Sequence, residues 1–320
     1  MNRYVARRLL LMIPILLVTS LVIFMIISLA PGDPLSQFAA NPVVPPEVSV
    51  NLRHALGLDQ PWPVRYVAWL TNLVRNGDLG YSFTSRMPVT TLIEQRLGTT
   101  LAVLGTAYFL SILLAIPIGV FSAVKQYSLF DHLATTFAFI GFSVPTFFTA
   151  MLLILVFGVQ LHWFPWIFSS TLRVTDLQSF GESVRQSVLP VAVLTLFQTG
   201  TLTRYVRATV LENLPQDYVR TARGKGLGER LVIWRHIFRN SLIPIVTLIA
   251  LGVPTIFTGA LVTEQIFRVP GIGSLLVSSI ETSDTPVVMA IIFTYSVLVV
   301  IFNLLADIVY GFLDPRIRYD

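Results

Sequence analysis

The chain has no cysteine among its 320 residues. Disulfides, thiolate metal sites and cysteine nucleophiles are excluded with it. Charge is scarce as well: Asp, Glu, Lys and Arg make up 12% of the residues, against 54% hydrophobic. The usual enzyme patterns are missing. His54, His132, His162 and His236 are scattered, with no HExxH or other ligand spacing. No GxSxG nucleophile elbow occurs. No GxxxxGKS/T phosphate loop occurs either; GKGLGER (Gly224–Arg230) has neither Ser nor Thr after its lysine. The expectation is therefore a chain with no catalytic residues, no metal site and no cofactor of its own.

What fills the sequence instead is uncharged apolar runs: Leu9–Ala30, Leu97–Val124, Leu133–Gln160, Gln186–Thr203, Leu242–Thr263 and Thr285–Ala306. Each is at least 18 residues long, close to the ~20 residues that span ~30 Å of hydrocarbon. One soluble core does not need six such runs. They predict an all-α integral membrane protein with six transmembrane helices. Gln186–Thr203 is the shortest and the most polar of the six. The first run follows Arg3, Arg7 and Arg8, but its 22 residues exceed the apolar core of a cleaved signal, so it reads as a retained anchor.

Lys and Arg orient the spans. With the N-terminus inside, inner segments hold 14 of the 22 basic residues and outer segments hold 8. With acids included, the inside is +7 and the outside −2. Both termini then lie in the cytoplasm. The basic balance of the chain follows from this topology and does not require nucleic-acid binding. Outside lie two loop regions. Pro31–Arg96 is proline-rich at its start and includes RYVAWLTNLVR, whose Val67, Leu70 and Val74 suit a short amphipathic helix on the membrane or on the protein. Leu161–Arg185 opens with the aromatic cluster HWFPWIF, as a headgroup belt would.

Inside, Arg204–Arg239 gathers eight basic residues. Pro215 ends one helix. A short helix with Gln216 and Asp217 in its first turn and Arg220 and Arg223 in its last agrees with the helix dipole. Gly224 and Gly226 stop it, and a second helix, Glu229–Asn240, leads into the next span. Two readings stand: a loop that satisfies the positive-inside bias, or a docking knob. In the second, Gly226 turns where a side chain would clash, and Tyr218 and Ala222 form an apolar face for a partner's groove.

None of the six runs contains an Asp, Glu, Lys, Arg or His. Buried charge in a membrane is kept for function, and a proton-coupled carrier needs titratable groups along its path. Their absence points to energy supplied from outside the chain, with a proton- or sodium-coupled secondary transporter as the alternative and a non-transporting scaffold as a third class. Prolines mark the spans (Pro14, Pro117, Pro145, Pro190, Pro244, Pro254); each either kinks its helix or is simply tolerated there. Ala115 and Gly119 form a small-xxx-small pair for close packing. Thr195, Gln198 and Thr199, with Leu202, share a weakly polar face of the fourth span, which either lines a solute path or bonds a neighbouring helix.

DYVRTARGKGL (Asp217–Leu227), followed by WRHIFRNSLIP (Trp234–Pro244), resembles the cytoplasmic signature of permease subunits of ATP-binding-cassette importers, in the peptide and nickel branch. Asp217, Gly224 and Ser241 depart from the usual Glu, Ala and Ala. RRLLLMIPILLVTSLVIFMIISLAPGDP (Arg7–Pro34), LGLDQPWPVRY (Leu56–Tyr66), GDLGYSF (Gly77–Phe83), EQIFRVPGIGSLL (Glu264–Leu276) and TSDTPVV (Thr282–Val288) are similar to further motifs of the first-permease type, in the same order. The resemblance implies a type I importer transmembrane fold in a bacterial inner membrane. Residues 1–96 would be the first transmembrane helix and extracytoplasmic loop region, 97–311 the transmembrane domain with a coupling helix at about 215–228, and 312–320 a cytoplasmic tail. It also implies ATPase coupling through Asp217, Tyr218, Arg220, Thr221, Ala222, Arg223, Gly224, Lys225, Gly226 and Leu227. The partners implied are a second, homologous permease, two ATP-binding subunits that hold the ATP and Mg, and an extracytoplasmic substrate-binding protein. The first cargo implied is di- or oligopeptides, with nickel complexes, glutathione and sugars, which similar permeases move, as alternatives.

Overall fold

The computed structural model of the protein describes residues 2–29, 46–55, 57–169 and 175–313. Among these residues the fold is helical, with a single isolated bridge between Tyr81 and Pro88. The helices are α1 (Asn2–Leu29), α2 (Pro46–Ala55), α3 (Trp62–Asn76), α4 (Val89–Val124), α5 (Leu129–Ser143), α6 (Thr146–Leu153), α7 (Leu177–Asn213), α8 (Asp217–Gly224), α9 (Glu229–Leu231), α10 (Arg239–Phe267), α11 (Ile272–Glu281) and α12 (Thr285–Leu313). π-helical segments extend α6 through Ile154–Gln160 and join α9 to α10 through Val232–Phe238.

Among the described residues four helical stretches are long and apolar enough to cross a membrane: Leu9–Leu29, Val89–Val124, Glu229–Val253 and Thr285–Leu305. A fifth results if α5 and α6 with its π-helical extension are counted as one span, although they meet at 104°. The break falls at Pro145, which removes a helical N–H, and Val144 before it is extended (φ −81°, ψ 125°), as a residue preceding proline prefers. Pro14, Pro117 and Pro190 stay inside continuous helices. The remaining expected span, Gln186–Thr203, lies within α7. That helix has 37 residues, about 55 Å at 1.5 Å per residue, but is less apolar than the others. The reason is its surroundings. It packs against α5, α6 and α10 and buries Gln186, Thr195, Thr203 and Thr209 against protein instead of lipid.

Two compact units divide the chain. The first comprises Thr100–Val269 and the chain from Ile301 on. Its centre is α7, capped at its start by Asp176, whose carboxylate accepts from Ser179 N at 2.7 Å while Ser179 Oγ accepts from Asp176 N at 3.1 Å. Small residues bring the helices together. A Cβ on Gly200 of α7 would lie 2.7 Å from the Ala138 carbonyl of α5, and one on Gly119 of α4 would lie 2.8 Å from Val206 of α7. The small pair Ala115 and Gly119 thus does serve close packing, with Ala115 fully buried. At the far end of α10, Glu264 is buried and accepts from Thr100 Oγ1 at 2.9 Å. This acid, one residue past the uncharged run, was not anticipated as a core group.

The second unit comprises Asn2–Thr99 and Pro270–Val300. Asp284 holds it together. Its buried carboxylate accepts from Ser82 Oγ (2.5 Å) and from the Phe83 and Thr84 backbone N–H groups (both 3.1 Å). Helix α3 forms where the spacing predicts one, and of the three apolar residues that marked it Leu70 packs on the protein. Tyr66, Trp69 and Leu70 pack with Phe24 of α1, while Val67 and Val74 remain exposed. Aromatic rings bury more apolar area than valines do, so they decide the face. Tyr66 sits edge-on to Phe24 with centroids 5.5 Å apart, and its hydroxyl lies 3.0 Å from Ser20 Oγ.

The close approach at Gly200 generates a test. Gly200→Leu forces α5 and α7 apart and is expected to destabilise the chain by about 1–3 kcal/mol, read as an earlier thermal unfolding transition in detergent. An unchanged transition would contradict the packing described.

Candidate functional site

The segment Asp217–Leu227 is built on a rigid base. On α7, Arg207 forks onto Asp131 at the start of α5, with Nε 2.7 Å from Oδ1 and Nη2 2.9 Å from Oδ2. The Asp131 carboxylate also accepts from Ser122 Oγ on α4 and from the Tyr127 backbone N–H at 2.9 Å. With Thr135 Oγ1 of α5 donating at 3.3 Å, five donor groups converge on one buried acid, 3% of whose side chain is accessible. The turn between α4 and α5 is stitched to the lower part of α7 just before α8 begins.

Helix α8 rests on this base through Val219 and Ala222, both buried. They join a core of Val120, Ala123, Val206, Val210, Val232, Ile237 and Ile245, drawn from α4, α7, the π-helical segment and α10. The π-helical turn matters here. Bonds spaced i→i+5 bring residues five apart to one side, and Val232 and Ile237 are both fully buried. The expected second helix, Glu229–Asn240, is therefore the beginning of one continuous helical run into the span, with Trp234 exposed.

The structure corrects two readings of this segment. Tyr218 and Ala222 do not form a free apolar face. Ala222 is buried in the chain's own core, and Tyr218 packs on that core with its hydroxyl donating to Asn213 Oδ1 at 2.6 Å. Nor does Gly226 avoid a clash: a Cβ there would meet nothing within 4 Å. Glycine is suited to the position because φ is +77°, the left-handed region. The helix itself runs through Gly224 and is capped at Lys225, with Gly226 N donating to Arg223 O at 2.9 Å.

What faces outward is polar. Asp217, Arg220, Thr221, Arg223, Gly224, Lys225 and Gly226 are exposed, and Leu227 is half-buried against the core. Arg223 forks onto Glu229 across the turn (2.6 and 3.0 Å), which raises the guanidinium pKa further above its usual value. Arg220 pairs more loosely with Asp217 at 3.6 Å. Both pairs are exposed, so each contributes at most about 1 kcal/mol. They set the shape of the turn more than its stability.

The three candidate path residues do not act together. Thr195 is buried and donates to the Ala107 carbonyl of α4 at 3.3 Å, a helix-to-helix bond. Thr199 Oγ1 is buried with no hydrogen-bond partner among the described residues, and Gln198 is half-buried. A cavity of about 140 Å³ opens between α5 and α7, lined by Thr135, Phe139, Gly200, Thr203, Arg204 and Arg207 among others, and not by those three. Arg204 stacks its guanidinium over Phe142, 4.9 Å from the ring centroid. Sequence reasoning missed the Asp131–Arg207 pair. The available signal was an acid three residues after Ser128, in the capping position before an apolar run, but its partner is 76 residues away.

Several helices long and apolar enough to cross a membrane, with a polar turn mounted on a buried core, define a multi-pass membrane protein. The chain belongs to the family described as binding-protein-dependent transport system inner membrane component, which it matches over residues 115–319, and it matches that family's N-terminal part over residues 1–104. It is 40% identical over 320 residues to the oligopeptide transport system permease protein AppB of Bacillus subtilis, covering 100% of both chains. A putative peptide permease protein of Brucella suis is 38% identical over 322 residues, 99% of each chain, and a probable peptide ABC transporter permease protein of Sinorhizobium fredii is 34% identical over 323 residues, 100% of each. The chain is thus a multi-pass permease subunit of an ATP-binding-cassette transport system and not itself the enzyme. The gradient-driven carrier is set aside.

The base and the turn differ in what they support. Asp131→Asn leaves the Arg207 guanidinium without its counter-charge and is expected to destabilise the chain by about 3 kcal/mol. Glu229→Gln removes only an exposed pair and is expected to remove less than about 1 kcal/mol. Thermal unfolding of the two variants in detergent checks the order; Glu229→Gln as the more damaging change would contradict it.

Proposed function

We propose that this chain forms half of the conduit of an ATP-driven peptide importer and receives its driving force through the outward polar face of α8. The cargo reading rests on the relatives, whose names specify peptides or oligopeptides. In this reading, residues 97–311 form the transmembrane domain that lines the path with a second, homologous permease. Two cytoplasmic ATPase subunits hold ATP and Mg, and a substrate-binding protein delivers peptide from outside. The chain sits in a bacterial inner membrane with both termini in the cytoplasm, the orientation supported by the distribution of Lys and Arg.

The observation that carries this reading is how α8 is mounted. Switching a two-state gate from 1:99 to 99:1 takes about 5.5 kcal/mol of differential binding. A free loop would absorb such a force in its own backbone freedom. Helix α8 is fixed by Val219 and Ala222 in a core that includes α4, α7 and α10, and beneath it Asp131 and Arg207 tie α5 to α7. Asp217, Arg220, Thr221, Arg223 and Lys225 present charge and hydrogen bonds to the ATPase, and a displacement of α8 is passed to the spans. Closure of the ATPases on ATP draws α8 toward its counterpart and opens the conduit outward; hydrolysis lets it return.

Gly226→Trp places a bulky residue at a φ of +77°, a conformation that disfavours any L-residue by about 1–2 kcal/mol. In proteoliposomes holding the complete complex, ATP-dependent uptake of a labelled oligopeptide is expected to fall at least about tenfold, with the chain still inserted. Uptake at the wild-type rate would count against coupling through this turn. For the orientation, alkaline phosphatase fused at Leu58 is expected to be active and at Ala222 silent; the opposite pattern would overturn it.

A further inference from the structure

The helical run Glu229–Val253 has two sides where it leaves α8. Val232 and Ile237, fully buried, lie in the core that holds Val219 and Ala222 of α8. The other side is open. Leu231 is 44% and Trp234 49% exposed, and Arg230, Arg235 and Arg239 are exposed beside them. Trp234 meets the half-buried Phe238 edge to face, with ring centroids 5.2 Å apart, so the two rings form one aromatic ledge. Arg230, Arg235 and Arg239 make no ion pair or hydrogen bond with another described residue. The sequence itself has no Asp or Glu between Arg230 and Thr263.

Arg235 and Arg239 are four residues apart, neighbours on the helix surface whose like charges repel. A negatively charged surface would relieve that repulsion, and position identifies one. The two arginines precede the uncharged run Leu242–Thr263 by seven and three residues. That spacing puts them at the level of the lipid headgroups, with the acyl chains beginning beyond them. An exposed tryptophan and exposed arginines on one helix side are what that layer accommodates. Helix α8 packs on the Val232 and Ile237 side, so its outward polar face and this surface are separate. We propose that Leu231, Trp234, Arg235 and Arg239 form a surface for anionic phospholipids. Leu231 and Trp234 sink between the lipids, and the two guanidinium groups donate to phosphate oxygens. Phosphatidylglycerol brings a net negative charge, whereas the ammonium of phosphatidylcholine cancels its phosphate, so phosphatidylglycerol gathers here. The inference needs only that Leu242–Thr263 spans the bilayer, and it is independent of the coupling role of α8.

Leu231→Cys gives the full chain a single cysteine. Labelled there with bimane and reconstituted in phosphatidylcholine nanodiscs, the chain reports lipid contact through quenching by doxyl-labelled lipids. Half-maximal quenching is expected at a mole fraction of doxyl phosphatidylglycerol about fivefold below that of doxyl phosphatidylcholine, the ratio that one basic residue at an anionic surface supplies. Arg235→Gln combined with Arg239→Gln is expected to bring the ratio close to one. Salt at about 1 M, where the Debye length is about 3 Å, is expected to lower it in the same way; this arm needs no variant and decides the matter if the double variant fails to insert. The same quenching is expected after the labelled chain is assembled with its ATPases. Equal quenching by the two lipids at low salt, or a preference left intact both by salt and by the loss of the two arginines, would overturn the proposal. So would quenching that disappears on assembly, which would give this surface to the ATPase instead of to lipid.

Discussion

Arg207 lies ten residues before the start of α8, and its guanidinium grips a buried aspartate that belongs to another helix. That pair adds a directed polar tie between the lower end of α7 and the turn between α4 and α5, beside the apolar packing of Val206 and Val210 on Val120 and Ala123. With it, Ser122, Tyr127, Thr135 and Arg207 all donate to one carboxylate. A buried ion pair is poor at adding stability but good at enforcing one arrangement, since any other leaves a charge unsatisfied. A base of this kind suits a segment that must hand on force without yielding.

The same economy governs the spans. Lipid offers no hydrophobic drive for helices to associate, so contact must come from shape and from hydrogen bonds. Gly200 lets α5 and α7 touch backbone to backbone, Gly119 does the same for α4 and α7, and Thr195 bonds the α4 backbone. Helix α7, surrounded by its neighbours, can then be the most polar of the long helices without being out of place in a membrane.

The parts of this architecture that were legible in the sequence are those set by local composition. The uncharged runs, the helix end at Pro215, the small pair at Ala115 and Gly119, and the short helix at Asp217 all depend on a few adjacent residues, whereas the sequence left Pro145 open between a kink and a tolerated proline. Orientation of faces was less legible. Tyr218 and Ala222 looked like a free apolar patch, and only the neighbouring valines on α4 and α7 show that it is already covered. Val67 and Val74 fitted the helical spacing, but Trp69 and Tyr66 had more area to bury. Least legible were single polar residues whose partners lie far along the chain, namely Asp131, Glu264 and Asp284. Each looks like a loop or helix-end acid until the fold brings its donors to it.

The central claim is that α8 and the turn between α4 and α5 move as one body. The absence of cysteine makes it directly measurable. Spin labels at Gln126→Cys and Gln216→Cys, both exposed and both outside the proposed docking face, report the distance across the base by pulsed electron resonance in the assembled transporter. The account predicts a single narrow distance that stays the same with and without ATP and vanadate. A distance that shifts or splits on nucleotide binding would mean that α8 moves independently of the base, and the proposed route of force into the membrane would be wrong.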